Sequence, residues 1–234
     1  MHNTIDARAS QNASLTSQGR SLHQQGLLEQ AKSCYLQAMQ VDPARPEPYN
    51  LLGLVALQIK DTYVAAELFH TAVELDPDKA EYQCNLGVCL YFLEEYEQAE
   101  QALRIALDLD PEHIEAQTSL GMLLEARGFL REAAQVLERA AKLSPRDANI
   151  LGKCAECQVR LGNFEQAADW AEQALALDGQ EKVALYALAR IQKESSLFDQ
   201  ARQTMQKLIR LVPDVAAHHS YLAELNSQTE HNHQ

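Results

Sequence analysis

The residues in this sequence best suited to chemistry are its cysteines. Cys154 and Cys157 form a Cys-Ala-Glu-Cys pair, a spacing that redox and zinc sites use. A four-thiolate site needs two more ligands nearby, but Cys84 and Cys89 lie far earlier in the chain. Cys154 also falls at a predicted core position of a helix, where cysteine behaves as a small apolar residue. The sequence therefore predicts neither a metal nor a redox site, and it predicts no cofactor.

The other reactive side chains form no recognisable catalytic set. Four histidines gather near the C-terminus without a structured ligand set, and they are His218, His219, His231 and His233. The sequence has no glycine-rich phosphate loop, no HExxH motif and no nucleophile elbow. We therefore predict that the protein is not an enzyme.

Composition and charge exclude further classes of function. The net charge is −13, and an acidic chain repels phosphate backbones, so nucleic acid is not an expected partner. The N-terminus lacks a secretory signal, and no apolar run approaches the length of a membrane span. The five cysteines are odd in number and suit reduced thiols. These features predict a cytoplasmic protein with no membrane partner.

The elements that position these residues repeat every 34 residues. Helix-breaking residues recur at that interval, namely Pro43, Pro77, Pro111, Pro145, Gly179 and Pro213. With Asn12 as position 1 of the first repeat, small residues also recur at fixed positions. Position 8 holds Gly19, Gly53, Gly87, Gly121, Ala155 and Ala189. Small residues let two helix backbones approach closely, so each repeat is predicted to be a pair of crossing helices, with a break near position 15.

This pattern resembles the tetratricopeptide repeat family, whose period is 34 and whose small residues occupy these positions. The resemblance implies an all-α, right-handed α-solenoid and a protein-binding scaffold. The six predicted repeats span residues 12–45, 46–79, 80–113, 114–147, 148–181 and 182–215. The family's aromatic at position 4 is kept in Tyr49 but replaced elsewhere, for example by Gln83. Beyond the repeats we predict a capping helix at 216–226, with Leu222 and Ala223 at core positions, and flexible tails at 1–11 and 227–234.

The first helix of each repeat suggests a binding groove. Positions 4, 7, 8 and 11 share one stripe that packs inside, and the opposite stripe lines the ligand groove in proteins of the family. That stripe is apolar in the middle of the chain, where Leu51 and Cys84 also fall on it, and basic toward the C-terminus. The candidate groove residues are Asn50, Leu54, Leu57, Asn85, Val88, Tyr91, Phe92, Met122, Lys153, Arg160, Arg190 and Lys193.

Two interpretations of this stripe remain open. Its apolar part could receive side chains of a peptide or helix, with Asn50 and Asn85 holding the backbone, or it could pack against neighbouring repeats. Its basic part could hold an acidic segment, or it could be a solvated face partly neutralised by Glu156 and Glu194.

The sequence supports three hypotheses for function. The leading one is an adaptor or scaffold that binds a peptide or helix of another protein in the groove. The second is a self-assembling module, a weak homo-oligomer, because residues 80–113 carry eight acids against Arg104 whereas residues 182–215 carry six bases against three acids. The third is a non-catalytic arm that recruits substrate for an enzyme on a separate chain.

Overall fold

The computed structural model describes residues 2–231, with side chains described for residues 7–227, and its regular structure is helical throughout. Met1 and residues 232–234, which belong to the two predicted tails, lie outside the described residues. The helices are α1 (His2–Gln24), α2 (Leu28–Val41), α3 (Pro46–Gln58), α4 (Thr62–Leu75), α5 (Ala80–Phe92), α6 (Tyr96–Leu109), α7 (Ile114–Ala126), α8 (Leu130–Leu143), α9 (Ala148–Leu161), α10 (Phe164–Leu177), α11 (Lys182–Glu194), α12 (Phe198–Leu211) and α13 (Ala216–His231). The predicted all-α solenoid of tandem helix pairs is confirmed, while the assigned repeat boundaries stay a prediction.

The turn inside each helix pair has one backbone signature. The residue at position 15 has a positive φ in all six repeats, where a helix can end in the left-handed conformation. Glycine supplies it at Gly26, Gly128 and Gly162, and the other three positions are Lys60 (φ 65°), Glu94 (φ 62°) and Ser196 (φ 60°). The predicted break is therefore a left-handed helix cap, even where the residue is not glycine.

Three of the turns between successive helix pairs contain an aspartate that bonds to the backbone of the turn. The Asp42, Asp110 and Asp178 carboxylates each accept the backbone N–H two residues later, at 3.2, 3.1 and 2.9 Å. Such a bond replaces a backbone turn bond at the place where proline or glycine prevents the helix from continuing. The acidic residues before the breakers thus shape the turn that starts the next repeat.

The two helices of a pair cross where position 8 meets position 24. A Cβ atom added at Gly121 would lie 2.6 Å from Cγ of Leu137, and one added at Gly53 would lie 2.7 Å from the Phe69 ring. In the last two repeats, position 8 is alanine and the facing residue is Ala171 or Met205. The two helices of a pair therefore approach each other closely, as predicted. The residue at position 24, which faces position 8, differs among the repeats.

The chain forms two compact halves, Met1–Ser119 and Leu120–Gln234. In the N-terminal half, Tyr35 of α2 is buried with Leu52 and Val55 of α3 in one core cluster. In the C-terminal half, Met205 and Leu208 of α12 are buried with other apolar residues in another. Within residues 2–231, no helix is apolar over a long enough stretch to cross a membrane.

The chain ends differ from the prediction. Helix α1 begins at His2 and α13 runs to His231, so most of both predicted flexible tails is helical. The side chain of Asn12 in α1 donates to the carbonyl of Ala38 at 2.7 Å, and no proline or glycine interrupts the helix before it. In α13, Leu225 is buried in the core cluster that contains Met205 and Leu208 of α12, whereas Ala223 lies outside that cluster and is exposed. The prediction that Ala223 lies in the core is therefore wrong.

Candidate functional site

An apolar stripe lies on the first helices of the N-terminal half. Leu54 and Leu57 of α3 and Val88 and Tyr91 of α5 are partly exposed, and Phe92 is 63% exposed. The Tyr91 ring contacts Phe92 with centroids 5.7 Å apart. Leu54 also packs in part against the core beneath it. The predicted apolar stripe thus reaches the surface as an aromatic and aliphatic patch.

The two predicted asparagines have internal partners. Nδ2 of Asn85 donates to Oδ1 of Asn50 at 2.7 Å, and Nδ2 of Asn50 donates to a carboxylate oxygen of Glu81 at 3.3 Å. Asn50 is only 1% exposed. A buried amide must be satisfied inside the protein, and these amides satisfy each other. They join α3 to α5 and, in this structure, are not available to hold a peptide backbone.

Two other residues of the predicted stripe also lie inside the protein. Leu51 and Cys84 are buried, although both fall on the side assigned to the groove. Leu51 belongs to one core cluster with Ala31 and Tyr35 of α2, in the preceding repeat. The alternative interpretation, packing on a neighbouring repeat, therefore holds for Leu51, and Cys84 is too deeply buried to meet a ligand.

The basic residues of the C-terminal half are mostly paired within the protein. Arg160 of α9 lies 3.0 Å from a carboxylate oxygen of Glu125 in α7, and Arg190 of α11 pairs with Glu156 of α9. Lys193 pairs at 2.6 Å with Glu224 of α13. Glu156 therefore neutralises a base of this face, as the second interpretation expected, whereas the described ion pairs of these bases include none with Glu194.

Lys153 and Met122 complete the predicted stripe in this half. Both are partly exposed, on α9 and α7. Among the side chains that the structure describes, none forms an ion pair with Lys153. An acidic segment would find Lys153 open, but it would have to compete with glutamates for the three other bases.

Aromatic rings flank this charged face, and the sequence analysis missed them. The Arg190 guanidinium lies 5.9 Å from the Tyr186 ring centroid, and the Lys193 ammonium lies 5.3 Å from that of Tyr221. The two tyrosine centroids are 6.0 Å apart. Tyr186 occupies position 5 and Tyr221 the equivalent of position 6, both on the groove stripe, so their spacing could have identified them.

Glu156 is the most perturbed carboxyl group of this face. Burial raises its pKa to about 7, although the neighbouring Arg190 guanidinium lowers it. Glu125 raises the pKa further and Arg160 lowers it. One carboxyl oxygen of Glu156 is buried without a hydrogen-bond partner. Burial outweighs the ion pair here, so this carboxyl changes its charge near neutral pH.

Gly152, the one glycine that the repeat pattern left unexplained, makes room for a helix cap. A Cβ atom at Gly152 would lie 2.4 Å from a carboxylate oxygen of Glu181. That oxygen accepts the N–H of Ala184 at 2.5 Å at the start of α11, and the other oxygen accepts from Asn149 at 3.4 Å. Gly152 therefore lies on the stripe because the buried Glu181 cap of α11 needs the space, and a ligand contact is not required to explain it.

The cysteines lie inside the helix layers. All five are free and buried, and burial raises the pKa of the Cys84, Cys154 and Cys157 thiols to about 12 and that of Cys89 to about 11. Thiols that stay protonated are poor nucleophiles and poor metal ligands. Among the described residues, no cluster of His, Cys, Asp and Glu could hold a metal ion.

Comparisons with known proteins agree with this architecture. The family model of the cilia and flagella-associated protein 70 C-terminal domain matches residues 4–225. No curated protein is significantly similar in sequence.

Three solved structures illustrate how widely the fold occurs. PilF of Pseudomonas aeruginosa superposes with a TM-score of 0.80 at 23% identity, over 93% of this chain and 99% of that one. YrrB, described as a tetratricopeptide repeat protein with an unusual peptide-binding site, gives 0.63 at 19% identity, over 80% and 96%. The Cut9–Hcn1 structure of the APC/C gives 0.83 at 14% identity, over 96% of this chain and 44% of that one. Likeness at these identities shows the fold.

Proposed function

Because the chain belongs to the family of the cilia and flagella-associated protein 70 C-terminal domain, a tetratricopeptide repeat family, we propose that it is a non-catalytic adaptor. Its first helices bind a peptide or helix of a partner protein. Among proteins of the same fold, YrrB has an unusual peptide-binding site and Cut9–Hcn1 is a hetero-tetramer. The five free, buried thiols suit a reducing compartment, and we place the protein in the cytoplasm.

The exposed apolar stripe of the N-terminal half carries this proposal. Leu57, Val88, Tyr91 and Phe92 leave apolar surface in contact with water along α3 and α5, where the repeat could have placed polar residues. An amphipathic helix or an extended segment would remove that surface from water by inserting its own apolar side chains. Because the Asn50 and Asn85 amides are occupied by each other, apolar contacts supply the affinity and the amides fix the spacing of the two helices.

In the C-terminal half, the predicted stripe carries charged side chains. Lys153 offers an ammonium group to an acidic residue of the partner, while Arg160, Arg190 and Lys193 are held by Glu125, Glu156 and Glu224. We propose that Met122 and Lys153 make the partner contacts here. The three paired bases contribute a rigid rim, because their guanidinium and ammonium groups are already bonded.

Charge substitutions on the stripe test this function. Val88→Asp and Tyr91→Asp, singly or with Leu54→Asp, should reduce partner capture from the native cell at least about tenfold, since each buries a carboxylate against apolar partner groups. Val64→Asp is the matched control, because Val64 lies exposed on the second helix α4. Far-UV circular dichroism should show unchanged helicity. Capture equal to the control would refute the proposal.

The opposed charges of the third and sixth repeats favour a second candidate, a module that associates end to end. Residues 80–113 are strongly acidic and residues 182–215 are basic. Sedimentation velocity over a concentration series separates the two candidates, because only self-association predicts that the mean mass grows with concentration and shrinks with added salt.

A further inference from the structure

A second candidate site lies in the N-terminal half, on the side formed by the second helices. It is a cleft of about 810 Å³ between α4 and α6. One wall is a face of α4 that runs from Tyr63 to Val73 and leaves out Val64, and the other consists of Gln98, Gln101, Ala102 and Ile105 of α6. Its floor is the part of α5 that carries Leu86 and Leu90, with Leu93 just beyond the helix end. None of these residues belongs to the stripe described above.

The cleft is apolar at its floor and open at its mouth. Ile105, Ala66 and Val73 are partly exposed, and Tyr63 at the mouth is 76% exposed. The volume lies within the range of ligand pockets, about 300–1,000 Å³. Because two helices form the walls and the mouth is open along them, the shape suits an elongated ligand better than a small enclosed one.

The fold does not require an apolar floor at this place, as the equivalent positions of the last two repeats show, although the fourth repeat also has a leucine there, Leu124. Between α8 and α10, the position of Leu90 is Gln158, whose amide donates to Glu138 at 3.0 Å, and Gln166 donates to the same carboxylate at 3.1 Å. Between α10 and α12 it is Gln192, which accepts from Thr204 at 2.8 Å. Polar side chains close those clefts, whereas leucines leave this one apolar and open.

The rim of the cleft is acidic. Glu67 of α4 and Glu95 at the start of α6 line it and are exposed, and the lining contains no lysine or arginine. Neither carboxylate forms an ion pair with a described side chain. His70, also on the lining, lies 3.5 Å from Glu74. The repeat that supplies α5 and α6 carries eight acids against a single arginine. A positively charged group would therefore complement this rim.

We propose that this cleft binds a basic amphipathic helix of a partner protein, independently of the function proposed for the first helices. Its apolar side chains, spaced i, i+3 or i+4, and i+7, insert between α4 and α6 onto Leu86 and Leu90. Its lysines or arginines meet Glu67 and Glu95. The α4 wall from Tyr63 to Val73 is about 15 Å long at 1.5 Å per residue, which matches roughly three turns of a bound helix.

A labelled synthetic peptide tests the proposal. The probe is a fluorescein-labelled helical peptide of about 14 residues, with leucines spaced i, i+3, i+4 and i+7 and lysines on the flanks. Fluorescence anisotropy should show saturable binding to the whole chain below about 1 mM. Ala102→Trp, which copies Trp170 at the same position of the fifth repeat, should fill the cleft and weaken binding at least about tenfold.

A charge reversal keeps the test valid if the tryptophan disturbs the fold. Glu67→Lys with Glu95→Lys changes two exposed side chains and should also weaken binding at least about tenfold. The matched control is Glu165→Lys with Glu172→Lys, two exposed glutamates of α10, which should change binding less than about twofold. A peptide with glutamates in place of lysines should not bind.

Three results would overturn the proposal. The first is no saturable binding to the wild-type chain. The second is an equal loss in the cleft and control variants. The third is loss of peptide binding in Val88→Asp but not in Ala102→Trp, which would place the peptide on the first helices. If Ala102→Trp instead abolishes a concentration-dependent growth in mass, the occupant is a second copy of this chain and not a partner helix.

Discussion

At the scale of single residues, three left-handed positions are occupied by side chains that do not favour them. Lys60, Glu94 and Ser196 end a first helix with φ near +60°, where Gly26, Gly128 and Gly162 do the same in the other repeats. A Cβ atom in this conformation costs about 1–2 kcal/mol, and glycine avoids that cost. The left-handed turn is therefore imposed by the packing of the helix pair and not by the residue.

Replacing Ser196 with glycine should stabilise the protein. The side chain is exposed and φ is 60°, so Ser196→Gly should raise the free energy of unfolding by about 0.5–1 kcal/mol. The neighbouring Ser195 has φ −81°, and Ser195→Gly should lower it by about 0.5 kcal/mol. Urea denaturation of the two variants provides the measurement. Equal effects of the same sign would mean that backbone conformation does not decide the outcome.

Glu156 should make stability depend on pH. Burial raises its pKa to about 7 in the folded protein, from 4.5, so the folded state holds this proton more tightly than the unfolded state. Its contribution is therefore favourable at low pH and is lost as pH rises from about 4.5 through 7. Glu156→Gln should be more stable than wild type at pH 8, by about 2 kcal/mol beyond the difference at pH 5.

Denaturation curves at pH 5 and pH 8 measure this difference. Glu172→Gln, on the exposed side of α10, is the control and should follow the wild type at both values. If Glu156→Gln also runs parallel to the wild type, the ion pair with Arg190 outweighs burial, and the carboxyl is ionised throughout.

At the scale of helices, the crossings of the first four repeats each pair a glycine with a large side chain. Gly19 faces Tyr35, Gly53 faces Phe69, and Gly121 faces Leu137. In the fifth repeat, Ala155 is buried in one cluster with Ala171. In the fifth repeat, the added methyl group on one helix thus accompanies a smaller side chain on the other, because the space between the helices is limited, whereas Ala189 of the sixth repeat packs in one cluster with Met205.

A double-mutant cycle at one crossing should show this coupling. Gly121→Ala brings a methyl group against Leu137 and should cost about 1–3 kcal/mol, and Leu137→Ala leaves a cavity and should cost about 2–5 kcal/mol. The double variant copies the Ala155–Ala171 pair. Its cost should be smaller than the sum of the single costs by about 1 kcal/mol or more. Additive costs would show that the two residues do not share one space.

The sequence predicts the helices well because the signals that define them are local. The breakers near Pro43 and its equivalents and the small residues near Gly53 act within one helix pair. The site is harder to predict because it depends on contacts between repeats. Asn50 is on the expected stripe yet is buried against Asn85, and Lys193 pairs with Glu224 from a helix 31 residues further along the chain.

The cleft between α4 and α6 is also hard to predict from the sequence. Leu90 and Leu93 fall at or near positions that read as helix core, so the pattern gives no sign that they line an opening. Only the separation of α4 from α6 reveals it. The same position is apolar in the first four repeats, for example Leu124 in the fourth, and is glutamine only at Gln158 and Gln192, so the residue type alone does not single out the third repeat.

At the scale of the whole molecule, the two halves offer different surfaces. The N-terminal half carries the exposed aromatic stripe of Tyr91 and Phe92, and the acidic cleft behind it. The C-terminal half carries bases paired to glutamates and flanked by Tyr186 and Tyr221. We propose that the protein acts through such surfaces, since they are what distinguishes its repeats from one another.

Photo-crosslinking at Phe92 is the most direct measurement of partner binding by the first helices. Benzoylphenylalanine in place of Phe92, which is 63% exposed on the stripe, should form a covalent adduct with one partner protein in the native cell. The same replacement of Phe129, which is 51% exposed in the turn before α8, should not form it. The adduct at Phe92 should disappear when Val88→Asp is added. Equal adducts at both sites, or none at Phe92, would contradict partner binding on this face.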